Sequence, residues 1–205
     1  MDRDEFIITV YCLVCEHYQV IKNTYPLRQG GFAPALTDEE VITLELCGEY
    51  FKLPTDKDLF VYFRPHYAHF FPHLTERTLF VRQAANLWQV KAAMQQRLRH
   101  VSGQATDPVQ SIDTLPLPLW GYTRRGRARC FKPFADYGPC AAKNLDYSGF
   151  KLGLRSARCG MITCYPLLPA RPHDIQLLDE LVEGFAGLVP ADKGFIDAFR
   201  QALAG

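Results

Sequence analysis

Val109-Gln110-Ser111-Ile112-Asp113 is the stretch at which the chain changes its grammar. It is short and strand-like, and no β pattern appears before residue 105. Upstream, apolar residues recur at steps of three and four. Phe6, Val10, Leu13, His17 and Val20 make one helical stripe. Thr37 with Glu40 has capping-box spacing and opens a second helix, which Pro54 stops near Leu53. A third short helix follows Thr55-Asp56-Lys57-Asp58 toward Phe63. A fourth starts near Thr75 and carries Phe80, Ala84, Leu87, Val90, Met94 and Leu98 to Gly103. Downstream, Thr114, Pro116 and Pro118 close the first strand. Phe150–Arg155 alternates apolar and polar residues as a second strand, and Met161 to Leu168 makes a third. Ile175, Leu178, Leu181, Val182 and Phe185 return to helical spacing, with Asp174 or His173 at the start. Leu188 to Ala191 is a brief fourth strand, and a last helix starts near Asp197.

This order predicts an α/β (α+β) chain with a helical region over 1–104 and a sheet domain over 105–205, the boundary falling after Gly103-Gln104. Three strands with short connections predict an antiparallel meander. The helix before the fourth strand supplies the crossover that a parallel pairing requires. If the fourth strand lies parallel to the first, Asp113 and Asp192 sit at neighbouring C-terminal ends.

The chain has 205 residues, 48% of them hydrophobic and 22% charged, which excludes disordered, collagen-like and coiled-coil classes. Its net charge of +1 conceals an asymmetry. From Arg124 to Arg158 there are nine basic residues against Asp136 and Asp146, so that segment is +7 and the remainder −6. A polyanion facing one surface and a solvated basic face both fit this. Seven cysteines without a disulfide framework suit a reduced cytosol. The acidic start and the uncharged run Phe6–Cys15, about half the length of a membrane span, indicate neither export nor insertion.

Two aspartates brought together from distant strands repel unless a hard cation lies between them, and oxygen-only ligation suits Mg²⁺ or Mn²⁺. Two such ions about 4 Å apart activate a water and stabilise the leaving oxygen of a phosphodiester. The basic residues Arg124, Arg125, Arg127, Arg129, Lys132 and Lys151 lie close to Asp113 in the chain, and Lys193 follows Asp192 directly. The arginine run, interleaved with Gly126 and flanked by Tyr122 and Phe131, has the composition of a loop that tracks a phosphate backbone or of an exposed hairpin.

The strings Ser111-Ile112-Asp113-Thr114-Leu115-Pro116, Gly149-Phe150-Lys151-Leu152-Gly153-Leu154 and Pro190-Ala191-Asp192-Lys193-Gly194-Phe195-Ile196-Asp197 resemble those of the DDE-type transposases of bacterial insertion sequences. The Asp-Lys-Gly-aromatic-x-Asp string is the most specific, and the resemblance covers the whole chain. It implies a ribonuclease-H-like mixed sheet with flanking helices, with Asp113 and Asp192 as catalytic metal ligands for Mg²⁺ or Mn²⁺. It also implies that the N-terminal helices bind the terminal inverted repeats of an element and that the catalytic domain acts on those ends and on target DNA in the bacterial cytoplasm, at the nucleoid. A homo-oligomer is left open. The family's third carboxylate, a glutamate on a helix after a fifth strand, has no counterpart up to Gly205; the sheet domain is therefore expected to be incomplete and the chain a truncated member. Asp197, five residues beyond Asp192, suits a helix N-cap better than that role. The alternatives are a non-catalytic remnant that binds DNA or pairs with full-length enzyme, and a metal-dependent nuclease.

Other motifs carry less. Cys12-x-x-Cys15 with His17 lies within an amphipathic helix without a second Cys-x-x-Cys, so these are expected as core residues. His66, His69 and His73 straddle Pro72 and read as surface or helix-end residues. Trp88 is expected in the core with the stripe of its helix.

Overall fold

The structure is a computed structural model, and it describes residues 1–24, 33–120, 131–140, 145–192 and 195. The chain divides into two compact units, Met1–Leu98 and Arg99–Gly205. The Arg124–Arg129 run, Lys193 and the helix expected from Asp197 fall outside the described residues.

The first unit is helical: α1 (Arg3–Thr24), α2 (Asp38–Tyr50), α3 (Asp56–His66), α4 (Arg77–Asn86) and α5 (Trp88–Val101). The Thr37 capping box forms as its spacing predicts. Thr37 Oγ1 accepts from the Glu40 N–H at 3.2 Å, and Glu40 Oε2 accepts from the Thr37 N–H at 2.6 Å. Thr55 caps α3 in the same way, accepting from the Asp58 N–H at 3.1 Å. Helix α2 is the centre of the unit, with Val41, Ile42, Leu44 and Cys47 all buried. A Cβ on Gly48 would lie 2.6 Å from Leu59 Cδ1, so glycine lets α3 approach α2 closely.

Two readings of this region need correction. The buried stripe of α1 is Ile7, Val14, His17, Tyr18 and Ile21, while Leu13 and Val20 are exposed. The run Phe6–Cys15 is apolar around most of the helix, so periodicity leaves the inward face open and packing against α2 selects it. The long fourth helix is two helices, broken at Leu87. The Ala84 carbonyl accepts from the Leu87 N–H at 3.3 Å and from Lys91 Nζ at 3.0 Å, which satisfies an oxygen that the break releases. Phe80, Ala84, Leu87, Val90 and Met94 all reach the core across that break.

The second unit is a five-stranded sheet with one covering helix: β1 (Gln110–Trp120), β2 (Asp136–Cys140), β3 (Leu145–Ala157), β4 (Ile162–Cys164), β5 (Leu167–Pro169) and α6 (Leu178–Val182). Strand β3 is central and antiparallel to all the others. β1 lies on one edge, and β2, β5 and β4 share the opposite edge. Beyond β1, Val109 bridges Leu188 and Ile112 bridges Ala191, both parallel as the crossover predicts, though these two isolated bridges stand where the sequence predicts a brief fourth strand. Ile112 then packs with Leu177, Leu178, Leu181 and Phe195 in a second core. The chain is thus a mixed α and β protein, with helices α1–α5 ahead of the sheet.

The first strand does not close at Thr114; it continues to Trp120 through both prolines. Gln110 and Ile112 donate their N–H groups to the Leu188 and Pro190 carbonyls at 3.1 Å, so even-numbered residues of β1 aim their N–H away from β3. Pro116 and Pro118 share that parity and remove no ladder bond. β2 has no counterpart in the sequence reading, and the expected third strand is split into β4 and β5 around Tyr165-Pro166. The Pro166 carbonyl still accepts from the Gly153 N–H at 2.9 Å.

Candidate functional site

Asp113 and Asp192 are each the next residue after a partner in the Ile112–Ala191 bridge, and both are exposed. Ile112 is buried beneath α6 and Ala191 packs against the same core. Strand alternation then turns Asp113 to the other face of the sheet from Ile112. Its carboxylate is oriented by the backbone, since Oδ1 accepts from the Thr114 N–H at 2.7 Å. Residue 114 has the parity whose N–H points away from β3. The Asp113 carboxylate therefore lies toward the edge along which Pro190 and Ala191 run.

Parallel neighbours are about 4.8 Å apart, a spacing that lets carboxylates at matched positions share one ion with metal–oxygen distances of about 2.0–2.1 Å. Among the described residues the donors here are two exposed carboxylates, a set that fits Mg²⁺ or Mn²⁺. Such ions commonly take one or two protein carboxylates and complete their shell with water and phosphate oxygens. Among the described residues no group of three His, Cys, Asp or Glu side chains is gathered for a metal. Asp113 is not at the end of its strand, as expected, but four residues into it; what ends near Asp113 is the parallel partner.

The basic residues expected around the site divide. Lys132 is exposed in the turn before β2. Lys151 is half-buried, its Nζ paired with Asp174 Oδ1 at 2.5 Å and donating to the Pro172 carbonyl at 2.8 Å. Thr114 Oγ1 donates to Asp174 Oδ2 at 3.1 Å, so Asp174 ties β1 and β3 to the segment that leads into α6. Sequence reading took Asp174 only as a helix start; the pairing links residues far apart in the chain and has no local signal.

A second polar group lies beneath the sheet. Arg155 stands opposite Ile112 and is 9% exposed, with no carboxylate paired to it among the described residues. Its Nη1 donates to the Leu181 carbonyl at 2.6 Å, its Nε donates to Thr163 Oγ1 at 3.3 Å, and its guanidinium lies 4.9 Å from the Phe185 ring centroid. Burial lowers its pKa from the ordinary arginine value. This group anchors α6 to the sheet.

In the helical unit, His17 is buried and its Nδ1 accepts from Arg97 Nε at 3.2 Å, whereas Cys12 is exposed and Cys15 half-buried. Trp88 is not in the core: it is 64% exposed. Among the described residues no helix is long and apolar enough to cross a membrane. In comparisons with known proteins, no family model, curated protein or solved structure matches this chain.

Proposed function

We propose that the protein is a DNA transposase polypeptide of the DDE type, with a ribonuclease-H-like catalytic domain that performs metal-dependent phosphodiester hydrolysis and strand transfer at the ends of an insertion sequence. The observation that carries this reading is the parallel pairing of residues 188–191 with the start of β1, after which each backbone continues with an exposed aspartate. The resemblance of the strings around Asp113 and Asp192 supplies the reaction class. Asp113 and Asp192 would hold Mg²⁺ or Mn²⁺, which supplies Lewis acidity toward the phosphodiester and lowers the pKa of a water. The Thr114 N–H keeps the Asp113 carboxylate oriented before the ion arrives, reducing the reorganisation that binding requires.

Asp113 and Asp192 are both exposed, and a duplex would reach them from solvent. Lys132, together with Arg124, Arg125, Arg127, Arg129 and Lys193, would contact phosphates without reading sequence. Lys151 is spent on Asp174 and would contribute little to DNA affinity. Partners in this reading are the element's terminal inverted repeats, target DNA and a second copy of the chain, all met in the cytoplasm.

Nicking of supercoiled plasmid by the full chain with Mn²⁺ tests the reading. Nicking is expected with wild type and is expected to fall at least about 100-fold in D113N and in D192N. Both aspartates are exposed, so each variant should keep its stability within about 0.5 kcal/mol. Binding of plasmid without any metal-dependent nicking would contradict catalysis and leave a DNA-binding protein.

A further inference from the structure

We infer that the helical unit holds a binding site for an unpaired nucleobase of a DNA strand, with Trp88 as its stacking platform. An open cavity of about 1020 Å³ lies beside α4 and α5, at the upper end of the range of about 300–1,000 Å³ usual for ligand sites. Its lining includes the exposed side chains of Leu79, Arg82, Asn86, Trp88 and Gln89. Trp88 begins α5 directly after the break at Leu87, and the break turns its indole outward while Leu87 and Val90 take the core positions. Leaving an indole 64% exposed forfeits most of the burial a tryptophan would otherwise gain.

The surroundings match a nucleic acid strand. Arg77 to Val101 carries Arg77, Arg82, Lys91, Arg97 and Arg99 and no acidic residue, whereas the 76 residues before it hold twelve acidic and six basic residues. Lys91 and Arg97 are engaged with Glu45 and His17, which leaves Arg77 and Arg82 as the exposed cations of α4. Within the cavity the carboxylates are Glu76 and Asp38, and Asp38 is buried under Tyr18 Oη and Gln83 Nε2, each donating at 2.7 Å. With Asp38 held by these donors, Glu76 and Arg82 are the exposed charged groups of the lining, and the indole beside them is left for a base. The base enters against the indole, the amides of Asn86 and Gln89 meet its polar edge, and the backbone follows the arginines of α4.

The choice of a DNA strand over a free nucleotide rests on the proposed transposase reading, and the experiment separates the two. With W120F, Trp88 is the sole tryptophan of the full chain, and its fluorescence is titrated at low salt with an eight-residue oligodeoxythymidylate, a duplex of equal length and dTMP. The single strand should quench Trp88 well below the concentration at which dTMP does, and W88A should weaken single-strand binding by about tenfold. W88F should restore most of that affinity, because a flat ring is kept. Absence of quenching by the single strand, an unchanged affinity in W88A, or dTMP binding as tightly as the oligonucleotide would each overturn the inference. Stacking that persists in D113N while nicking is lost leaves this site standing apart from the catalytic one; nicking without stacking removes this site alone.

Discussion

At the scale of single residues, Asp107 shows how one carboxylate fixes the entry to the sheet. It is 8% exposed and accepts from the Val109 N–H at 3.1 Å and from the Arg158 N–H at 3.2 Å, with the Arg158 guanidinium also paired to it. The Val109 hydrogen bond, and after it Arg158, hold its pKa below the ordinary carboxylate value. Because the folded pKa is depressed, the stabilisation is fully present above the unfolded value of about 3.9 and is lost as pH falls through the folded one. Urea midpoints of wild type and D107N should therefore differ at pH 7 and converge below about pH 4. A difference that stays constant down to pH 2 would refute this role. The positions of Asp113 and Asp192 were legible at this scale because each follows a short strand-like segment, Val109–Ile112 and Leu188–Ala191. What the sequence could not disclose was the partner of each charge: Lys151 reads as a free cation and is bound to Asp174, and Trp88 reads as core and is exposed.

At the scale of elements, β1 depends on which way each N–H points. Pro116 and Pro118 face away from β3, whereas Leu117 has the parity that pairs with it. P116V should leave stability within about 0.5 kcal/mol, and L117P should cost at least about 1 kcal/mol by removing a ladder hydrogen bond. Thermal melts of the two variants decide this, and equal stabilities would mean that β1 does not pair in this register. The helices were mostly legible because their caps are local: Thr37 with Glu40, and Thr55 with Asp58, act across three residues. Strands were less so. The two prolines look like terminators until the neighbouring strand is known, and β2 (Asp136–Cys140) contains Gly138 and Pro139, so its pairing with β3 decides it more than its own composition does. Gly149 makes the same point. A Cβ there would lie 2.1 Å from the Leu117 carbonyl oxygen beside the irregularity at Pro118, a long-range requirement that a single glycine does not announce.

At the scale of the whole molecule, the two proposed sites fall in different units. The sheet unit carries the exposed aspartate pair and the exposed Lys132, and the helical unit carries a cavity with an exposed tryptophan on a stretch that has cations and no carboxylates. The boundary at Leu98–Arg99 falls just ahead of Gly103, whose φ of +72° suits the residue that ends a helix. The sequence feature nearest to this division is the change of periodicity after Gly103-Gln104. The inward faces of the helices were not readable from sequence, because an apolar run offers several stripes and only packing chooses one. The proposed activity requires that Asp113 and Asp192 hold one divalent cation together. Electron paramagnetic resonance of free Mn²⁺, titrated with the full chain, measures this directly without requiring turnover. Wild type should withdraw Mn²⁺ from the free signal, and D113N and D192N should each lose that binding while melting as wild type does. Equal Mn²⁺ uptake by all three proteins, or none by wild type, would contradict the shared site.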